Sequence, residues 1–429
     1  MTQEGKDTTT CCERFVEGPT KYRDVISTDA VAHVWRLLRY HLDTKYTEQR
    51  IREVHCIPPK EENTNIKKQA KQIGFCLRQA QEYFETSTRS SMLTRPLMIY
   101  YGAVSLCQAV ILLKGDGTQS LDARRKNRSA RHHGLETSFE EGQIKSKERR
   151  LDEVLNAIGC RIYEIHGKPV GNFPELYKSL SPDAYSLEAD ISEKGLSQVI
   201  RGVEVCRVSD HPSVTCLRGT RFSMAELMQT LPDMRTALFE LGIPSLARPV
   251  QTKTLLSYAK YPEGTRVRTA VREEYDYFVQ LSEESETDKL QLQLKHCVPE
   301  LKKEDTYISV HEHKGVTVHL RGCHGFYEDE PKQTVLPDLL EDLHGSKCIL
   351  LLAGLGVPEI ATYVMCLYCL GMLCRYFPDL WVELMDGNKH MAELCDIFLT
   401  AAYLKFPRLI LTQMTNTIYH FHSSGQGRS

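Results

Sequence analysis

The chain carries no appreciable excess of charge of either sign. Its 429 residues sum to a formal charge of −2, so the molecule as a whole exerts no pull on nucleic acid or acidic membrane, and any such attraction must be local. Long apolar runs are also scarce. The most apolar one, Leu97 to Leu113, has 17 residues and contains Ser105 and Gln108. A hydrocarbon layer of ~30 Å needs about 20, so a buried core helix is the better reading, and no membrane partner is expected. No basic segment followed by an apolar stretch opens the chain; Met1 to Glu17 is polar, and residues 1–20 are expected to be a disordered tail. Internal repeats, low-complexity tracts, a P-loop, a Gly-x-Ser-x-Gly elbow and the kinase signatures are all missing. Solenoids and the common nucleotide and acyl-transfer machineries are thereby set aside.

What is present is ordinary globular composition, 41% hydrophobic and 26% charged, with enough length for a sizeable core. Fifteen cysteines stand at scattered spacings. Cys76, Cys107, Cys366 and Cys374 fall inside apolar helical patterns, where a thiol behaves as a small hydrophobe. A reducing, cytoplasmic setting is the simpler inference. Cys366-Leu-Tyr-Cys369 has metal-like spacing but no second pair at finger distance, and Cys323-His324 stands alone. Four converging ligands do not assemble, so no metal and no cofactor is expected. Gly354-Leu-Gly356 imitates a dinucleotide-binding turn, lacks the third glycine, and is read as a helix-to-helix loop.

Helical spacing predicts helices over Asp29–Leu42, Thr47–Val54 and Asn65–Phe84, then a fourth that Thr94 caps, with Pro96 in its first turn. Residues 114–150 are charged and poor in large apolar side chains and read as a basic loop. In the middle, Ser223-Met-Ala-Glu226 is a capping box, Gly242 a helix stop, and Val267–Val271, Tyr275–Leu281, Thr306–His311 and Val316–Leu320 read as strands. From Leu336 onward the chain reads as helical, with Pro407 dividing Met391–Leu404 from Leu409–Phe421. The expected fold class is α+β, predominantly α-helical: N- and C-terminal helical blocks pack around the central apolar helix, with a small antiparallel β segment between them. The corresponding divisions are 21–113, 114–150, 151–335 and 336–421, forming one composite body.

Three segments read together resemble the YaaC-like family. They are Arg95-Pro-Leu-Met-Ile-Tyr-Tyr-Gly102 with His133-Gly-Leu135, Phe222-Ser-Met-Ala-Glu-Leu227 with Leu231-Pro-Asp233, and Leu370-Gly-Met-Leu-Cys-Arg-Tyr-Phe-Pro-Asp-Leu-Trp381. Their order and spacing cover roughly residues 30 to 415. The resemblance implies no particular chemistry. Within it, Tyr100-Tyr101-Gly-Ala103, Gln108-Ala109, Leu112-Leu113 and His133-Gly134 are similar to the helix–loop pattern of HEPN domains. That likeness implies a small helical, often dimeric domain, which in some members is a ribonuclease using an Arg and a His.

The most functional-looking stretch is Leu121 to His133, five cations in thirteen residues. Four residues separate Arg128 from His133, and six separate Arg125 from His132. A histidine with pKa near 7 can move the proton of a ribose hydroxyl, and an adjacent arginine can hold the scissile phosphate. Those two pairs are the candidate catalytic residues, provided a helix start near His132 turns them into one cleft. The plainer explanation of such a run is a solvated loop, and an Arg/His match within it arises easily by chance. Arg124, Lys126 and Arg131 are candidate phosphate-binding residues, together with Arg95, Tyr100, Tyr101 and Arg375. The expectation is a non-enzymatic binding or regulatory protein that recognises a nucleotide, an RNA or a protein partner through the basic loop. The alternative is a metal-independent ribonuclease, for which homodimerisation would place two Arg/His pairs together.

Overall fold

The computed structural model describes residues 21–115, 120–127, 129–144, 150–181, 186–193, 196–205, 213–260, 267–281, 286, 306–311, 315–327, 339–351 and 356–422. The expected tail, residues 1–20, lies outside them.

The architecture is α+β and predominantly helical. Helix α1 (Ala30–Leu38) starts where Asp29 Oδ1 accepts the Ala32 N–H at 2.9 Å, and it tightens into a 3-10 turn over Arg39–Leu42. Helix α2 (Thr44–His55) is capped by Asp43. Helix α3 (Asn63–Ser87) buries the stripe Ile66, Ala70, Ile73, Leu77, Ala80 and Phe84 that its periodicity predicts. Helix α4 (Arg95–Lys114) is apolar nearly all round, which is stable only if other elements surround it. They do: α4 packs against α3, against α7 (Asn172–Ser179), and against two C-terminal helices, Glu359–Tyr376 and Lys389–Thr415. By length and composition α4 could cross a membrane, yet 72% of its most apolar window is buried inside the protein. Close approach needs glycine. A Cβ on Gly102 of α4 would lie 2.6 Å from the Phe84 ring, and one on Gly371 would lie 3.1 Å from Tyr100. Thr94 does hold the N-cap position of α4, but through its carbonyl, which accepts Leu97 N–H at 3.1 Å.

One hydrophobic core joins both ends of the chain, from Val34 on α1 to Met414 on the last helix. The ends also pair directly, Lys21–Ile26 running parallel to Thr417–His422. Between the helical blocks lies the expected β segment, an eight-stranded sheet. Its main path runs Thr306–His311, Gly315–Tyr327, Val267–Gln280, Ala247–Lys260, Lys347–Leu350 and Leu339–Glu341, with Ser186–Glu193 and Leu196–Val205 attached beside Ala247–Lys260. A second sheet is antiparallel over Leu135–Thr137, Gly159–Ile162 and Arg221–Ser223, with α6 (Leu151–Ala157) leading into its middle strand. The capping box is formed as expected: Ser223 Oγ accepts the Glu226 N–H and Glu226 accepts the Ser223 N–H, opening α8 (Met224–Gln229). Next come the 3-10 turn Pro232–Met234 and α9 (Arg235–Glu240), stopped at Gly242 with φ +69°.

Four local expectations change. The two strands expected across 267–281 are one, Val267–Gln280, because no Gly or Pro in Arg272-Glu273-Glu274 interrupts the ladder. The chain after Leu336 first makes a hairpin, Leu339–Glu341 with Lys347–Leu350. Asp342 shapes its turn by accepting the N–H groups of His344 at 2.9 Å and Ser346 at 2.8 Å. The helix-to-helix loop expected at Gly354-Leu-Gly356 falls mostly outside the described residues, which omit 352–355; the described element before it is the strand Lys347–Leu350, not a helix, and the one after it is α10 (Glu359–Tyr376). Finally, α11 (Pro378–Gly387) is followed by a single 27-residue helix, α12 (Lys389–Thr415), with Pro407 inside it. Pro costs a helix ~3 kcal/mol through its missing N–H and its clash. Burial of both halves of α12, Leu394 through Phe406 and Ile410 through Met414, outweighs that cost.

His41 supplies a pH probe of this core. It is fully buried, neither ring nitrogen has a hydrogen-bond partner among the described residues, and its ring stands edge-on to Tyr46 at 5.1 Å. Burial, helped by the Arg50 charge, pushes its pKa from 6.5 down to about 4. The unfolded chain therefore takes up this proton before the folded one does. The stability involved is fully present above pH 6.5 and is lost as pH falls towards 4. His41→Phe should remove a loss of about 2.5 kcal/mol between pH 7.5 and 4.5, read as the difference between mutant and wild-type denaturation midpoints at the two pH values. Equal pH dependence in both proteins would contradict the assignment.

Candidate functional site

The basic segment folds against the body of the protein. Helix α5 (Leu121–Lys126) opens at Ser120, whose hydroxyl accepts the Ala123 N–H at 3.4 Å. Its first turn docks on α3: Leu121 N–H donates to Gln72 Oε1 at 2.7 Å, Gln72 Nε2 donates to Asp122 at 3.3 Å, and Lys68 pairs with Asp122. Lys68 and Arg125 hold the Asp122 carboxyl below its usual range. Arg124 points inward with a side chain 5% exposed, ion-paired to Glu175 and 2.7 Å from Asn172 Oδ1. Both partners belong to the first turn of α7. Arg125, Lys126 and Arg131 face water. Arg125 pairs with Asp122 at 2.9 Å, and Arg131 donates through Nε to the Arg125 carbonyl at 2.6 Å. No carboxylate among the described residues pairs with Lys126 or Arg131. Arg128 lies outside the described residues.

The next segment, His132-His133-Gly134-Leu135, crosses that same helix start. Asn172 N–H donates to the His132 carbonyl and Phe173 N–H to the His133 carbonyl, each at 3.0 Å, so the orphan donors of α7 are satisfied by the histidine backbone. The crossing is too close for side chains. Gly134 sits at φ +85° and Gly171 at φ +110°, and a Cβ on Gly171 would lie 2.6 Å from Gly134 Cα. Tyr368 of α10 closes the other side by donating to the Leu135 carbonyl at 2.9 Å. His132 therefore follows a 3-10 turn, Ser129–Arg131, and leads towards a strand; the helix start expected there is absent, because the chain is heading into Leu135–Thr137.

Four of the sequence-selected side chains come together at this point. His133 Nδ1 is hydrogen-bonded to the Tyr100 hydroxyl at 2.8 Å, and the ring lies 5.7 Å from Tyr100 and 6.0 Å from Tyr368. Burial first, then the charges of Arg375 and His132, lower the His133 pKa, so its imidazole is neutral at pH 7. Burial also keeps the Tyr100 hydroxyl protonated. The Tyr101 ring lies 5.5 Å from that of Tyr100, tilted 48° to it, and Arg375, in the last turn of α10, donates to the Tyr101 hydroxyl. The Arg375 guanidinium lies 5.9 Å from the Tyr101 ring and 5.0 Å from Tyr376. It is exposed and has no carboxylate partner among the described residues, Asp379 included. His132 is exposed beside Tyr163, ring centroids 4.7 Å apart. Arg95 stands apart, bound to Asp396 at 2.6 Å and Thr400 at 3.2 Å, where it ties α4 to α12.

Sequence reasoning passed over a second polar centre. Lys405, in the apolar stretch of α12, is buried and binds Asp233 Oδ2 at 2.7 Å and Glu359 Oε1 at 2.5 Å. Asp233 also accepts the Tyr363 hydroxyl at 2.9 Å and the Leu343 N–H at 2.8 Å. Burial disfavours the Lys405 charge, but Glu359 and Asp233 outweigh it and hold the ammonium above its ordinary range. A cavity of about 60 Å³ lies alongside, lined by Glu341, Glu359, Lys405, Arg408 and Gln413 among others. Gln413, on the wall of the same cavity, accepts from Lys114 at 2.9 Å, whose pKa burial pushes down to about 8. A charged residue within an apolar helical stripe was the signal that could have revealed Lys405. Among the described residues no His, Cys, Asp and Glu cluster fits a metal ion. Lys405→Ala leaves two buried carboxylates without their cation and should cost about 3–5 kcal/mol, measured by chemical denaturation at pH 7; a loss under 1 kcal/mol would show the cluster to be hydrated rather than buried.

No curated protein and no solved structure matches the chain. The model of one family, described as YaaC-like Protein, matches residues 38–414. That span takes in α4, the His133 crossing, Asp233, Arg375 and Lys405, and with most of its length matched the chain belongs to the YaaC-like family.

Proposed function

We propose that the protein is a non-enzymatic binding or regulatory protein that recognises a phosphate-bearing ligand, nucleotide or RNA, through the basic segment and the adjoining His133–Tyr101–Arg375 surface. The observation that carries this reading is the inward ion pair of Arg124. It anchors α5 to the body, so Arg125, Lys126 and Arg131 are presented from a fixed element rather than from a free loop. Immobilised guanidinium groups bind phosphate with less loss of side-chain freedom, and arginine matches phosphate through paired N–H donors. Arg375 adds an exposed guanidinium flanked by Tyr101 and Tyr376, a surface on which a base could stack.

One observation favours a ribonuclease of HEPN type as a second reading: a neutral His133 with Nδ1 engaged by Tyr100 leaves Nε2 for proton transfer. In that case His133→Ala abolishes RNA cleavage. In the preferred reading even the wild type cleaves nothing.

Thermal-shift titration with nucleotides and short RNAs tests the proposal. A ligand that binds only the folded state stabilises it by about 2.7 kcal/mol at 100 times its Kd. The triple variant Arg125→Ala, Lys126→Ala, Arg131→Ala should lower affinity by about tenfold or more and flatten its salt dependence. Wild-type midpoints that no phosphate-bearing ligand moves would refute the reading.

A further inference from the structure

Helix α3 turns one face to solvent. Its outward stripe reads Lys67 and Lys68, then Lys71, Phe75 and Arg78 at steps of three or four residues, which keeps them on one side of the helix. A solvated helix face ordinarily intersperses acids with bases. Here no acidic residue stands between Thr64 and Gln81. Lys67, Lys71 and Arg78 have no carboxylate partner among the described residues. Phe75, the one large apolar side chain on the stripe, is 47% exposed, with Lys71 Nζ 5.8 Å and Arg78 Cζ 5.6 Å from its ring. An aromatic ring kept in water between two cations gains nothing for the core.

This stripe is continuous with the basic segment. Asp122 joins them, pairing with Lys68 of α3 on one side and with Arg125 of α5 on the other. Arg131 adjoins through its bond to the Arg125 carbonyl. Lys67, Lys71, Arg78, Lys126 and Arg131 then form one cationic ridge on a chain whose net charge is −2. Along α3 alone the ridge covers about 16 Å at 1.5 Å per residue, too long for a single phosphate group.

We infer that this ridge is a binding face for single-stranded nucleic acid, with the lysines and arginines along the phosphates and Phe75 as a platform on which an unpaired base stacks. The inference rests on the proposed function in that it shares the α5 cations, but it adds a polymeric ligand and a separate helix. Phosphate contact supplies salt-sensitive affinity without sequence preference, and the stacking ring accounts for single strands over duplex.

Fluorescence anisotropy of the full chain with a labelled single-stranded RNA of about 16 nucleotides tests it. Binding should weaken with salt, and Lys67→Ala, Lys71→Ala, Arg78→Ala together should reduce the slope of log K against log salt by about 2. Phe75→Ala should weaken binding at least about fivefold while leaving that slope unchanged. The α3 variants should keep any thermal shift produced by a mononucleotide, because that site uses α5 and Arg375. A wild type that is stabilised by mononucleotides but does not bind the RNA would overturn this inference and leave the proposed function standing; binding of neither would end both. Equal competition by polyglutamate together with no effect of Phe75→Ala would also overturn it, since the face would then be a site for any polyanion.

Discussion

A guanidinium withdrawn from water has to be paired, and the candidate site hangs on one that is. Arg124 lies in the most cationic stretch of the chain, yet among the described residues of that stretch it is the cation that turns inward, onto Glu175 and Asn172. That choice fixes the direction of its neighbours: with Arg124 inside, Arg125 and Lys126 must face water on the opposite side of a short helix. The same first turn of α7 also receives the His132 and His133 carbonyls. A single helix start thus positions both the cations and the imidazoles. The close crossing of Gly134 and Gly171 makes this geometry sterically permissible.

Around this point the protein is assembled so that its ends support its middle. Helix α4 is enclosed by α3, α10 and α12, and it carries Tyr100 and Tyr101 to the place where His133 and Arg375 arrive from two widely separated later segments of the chain. Gly371 lets α10 approach Tyr100 closely enough for the contact. On the other side of α12, Lys405 draws Asp233 from the middle of the chain and Glu359 from α10 into one buried cluster. Such a cluster adds little net stability over apolar packing, but it is intolerant of misregistration, so it specifies which turn of α12 meets which turn of α10. The net charge of −2 conceals this organisation: 54 Lys and Arg are balanced by 56 Asp and Glu over the whole chain, while the α3 stripe and residues 121–133 are locally cationic.

Much of the helical framework was legible in the sequence because its periodicities are strong. The buried stripe of α3, the all-round apolar α4 and the Ser223–Glu226 capping box each arise from interactions within a few residues of one another. The hairpin at Leu339–Leu350 and the unbroken α12 were not legible, because there tertiary packing overrides local preference: Asp342 builds a turn within an apolar run, and Pro407 is retained in a helix buried on both flanks. At the site, the pattern singled out His133, Tyr100, Tyr101 and Arg375, and the fold brings them together. Spacing alone could not separate Arg124 from Arg125, since adjacent residues of identical chemistry differ only in which way the helix faces. Nor could it name the partners of Lys405, which are more than 40 residues away in the chain.

Amide hydrogen exchange across 121–133 tests the anchoring of the basic segment most directly. The account predicts slow exchange at Arg124 and Asn127, whose N–H groups are bonded to Ser120 and Ala123, and its collapse to the rate of an open loop in Arg124→Ala, with the α3 and α4 amides unaffected. Exchange at the open-loop rate in the wild type would mean that the segment is not held against the body, and the cations would then have no fixed surface from which to bind.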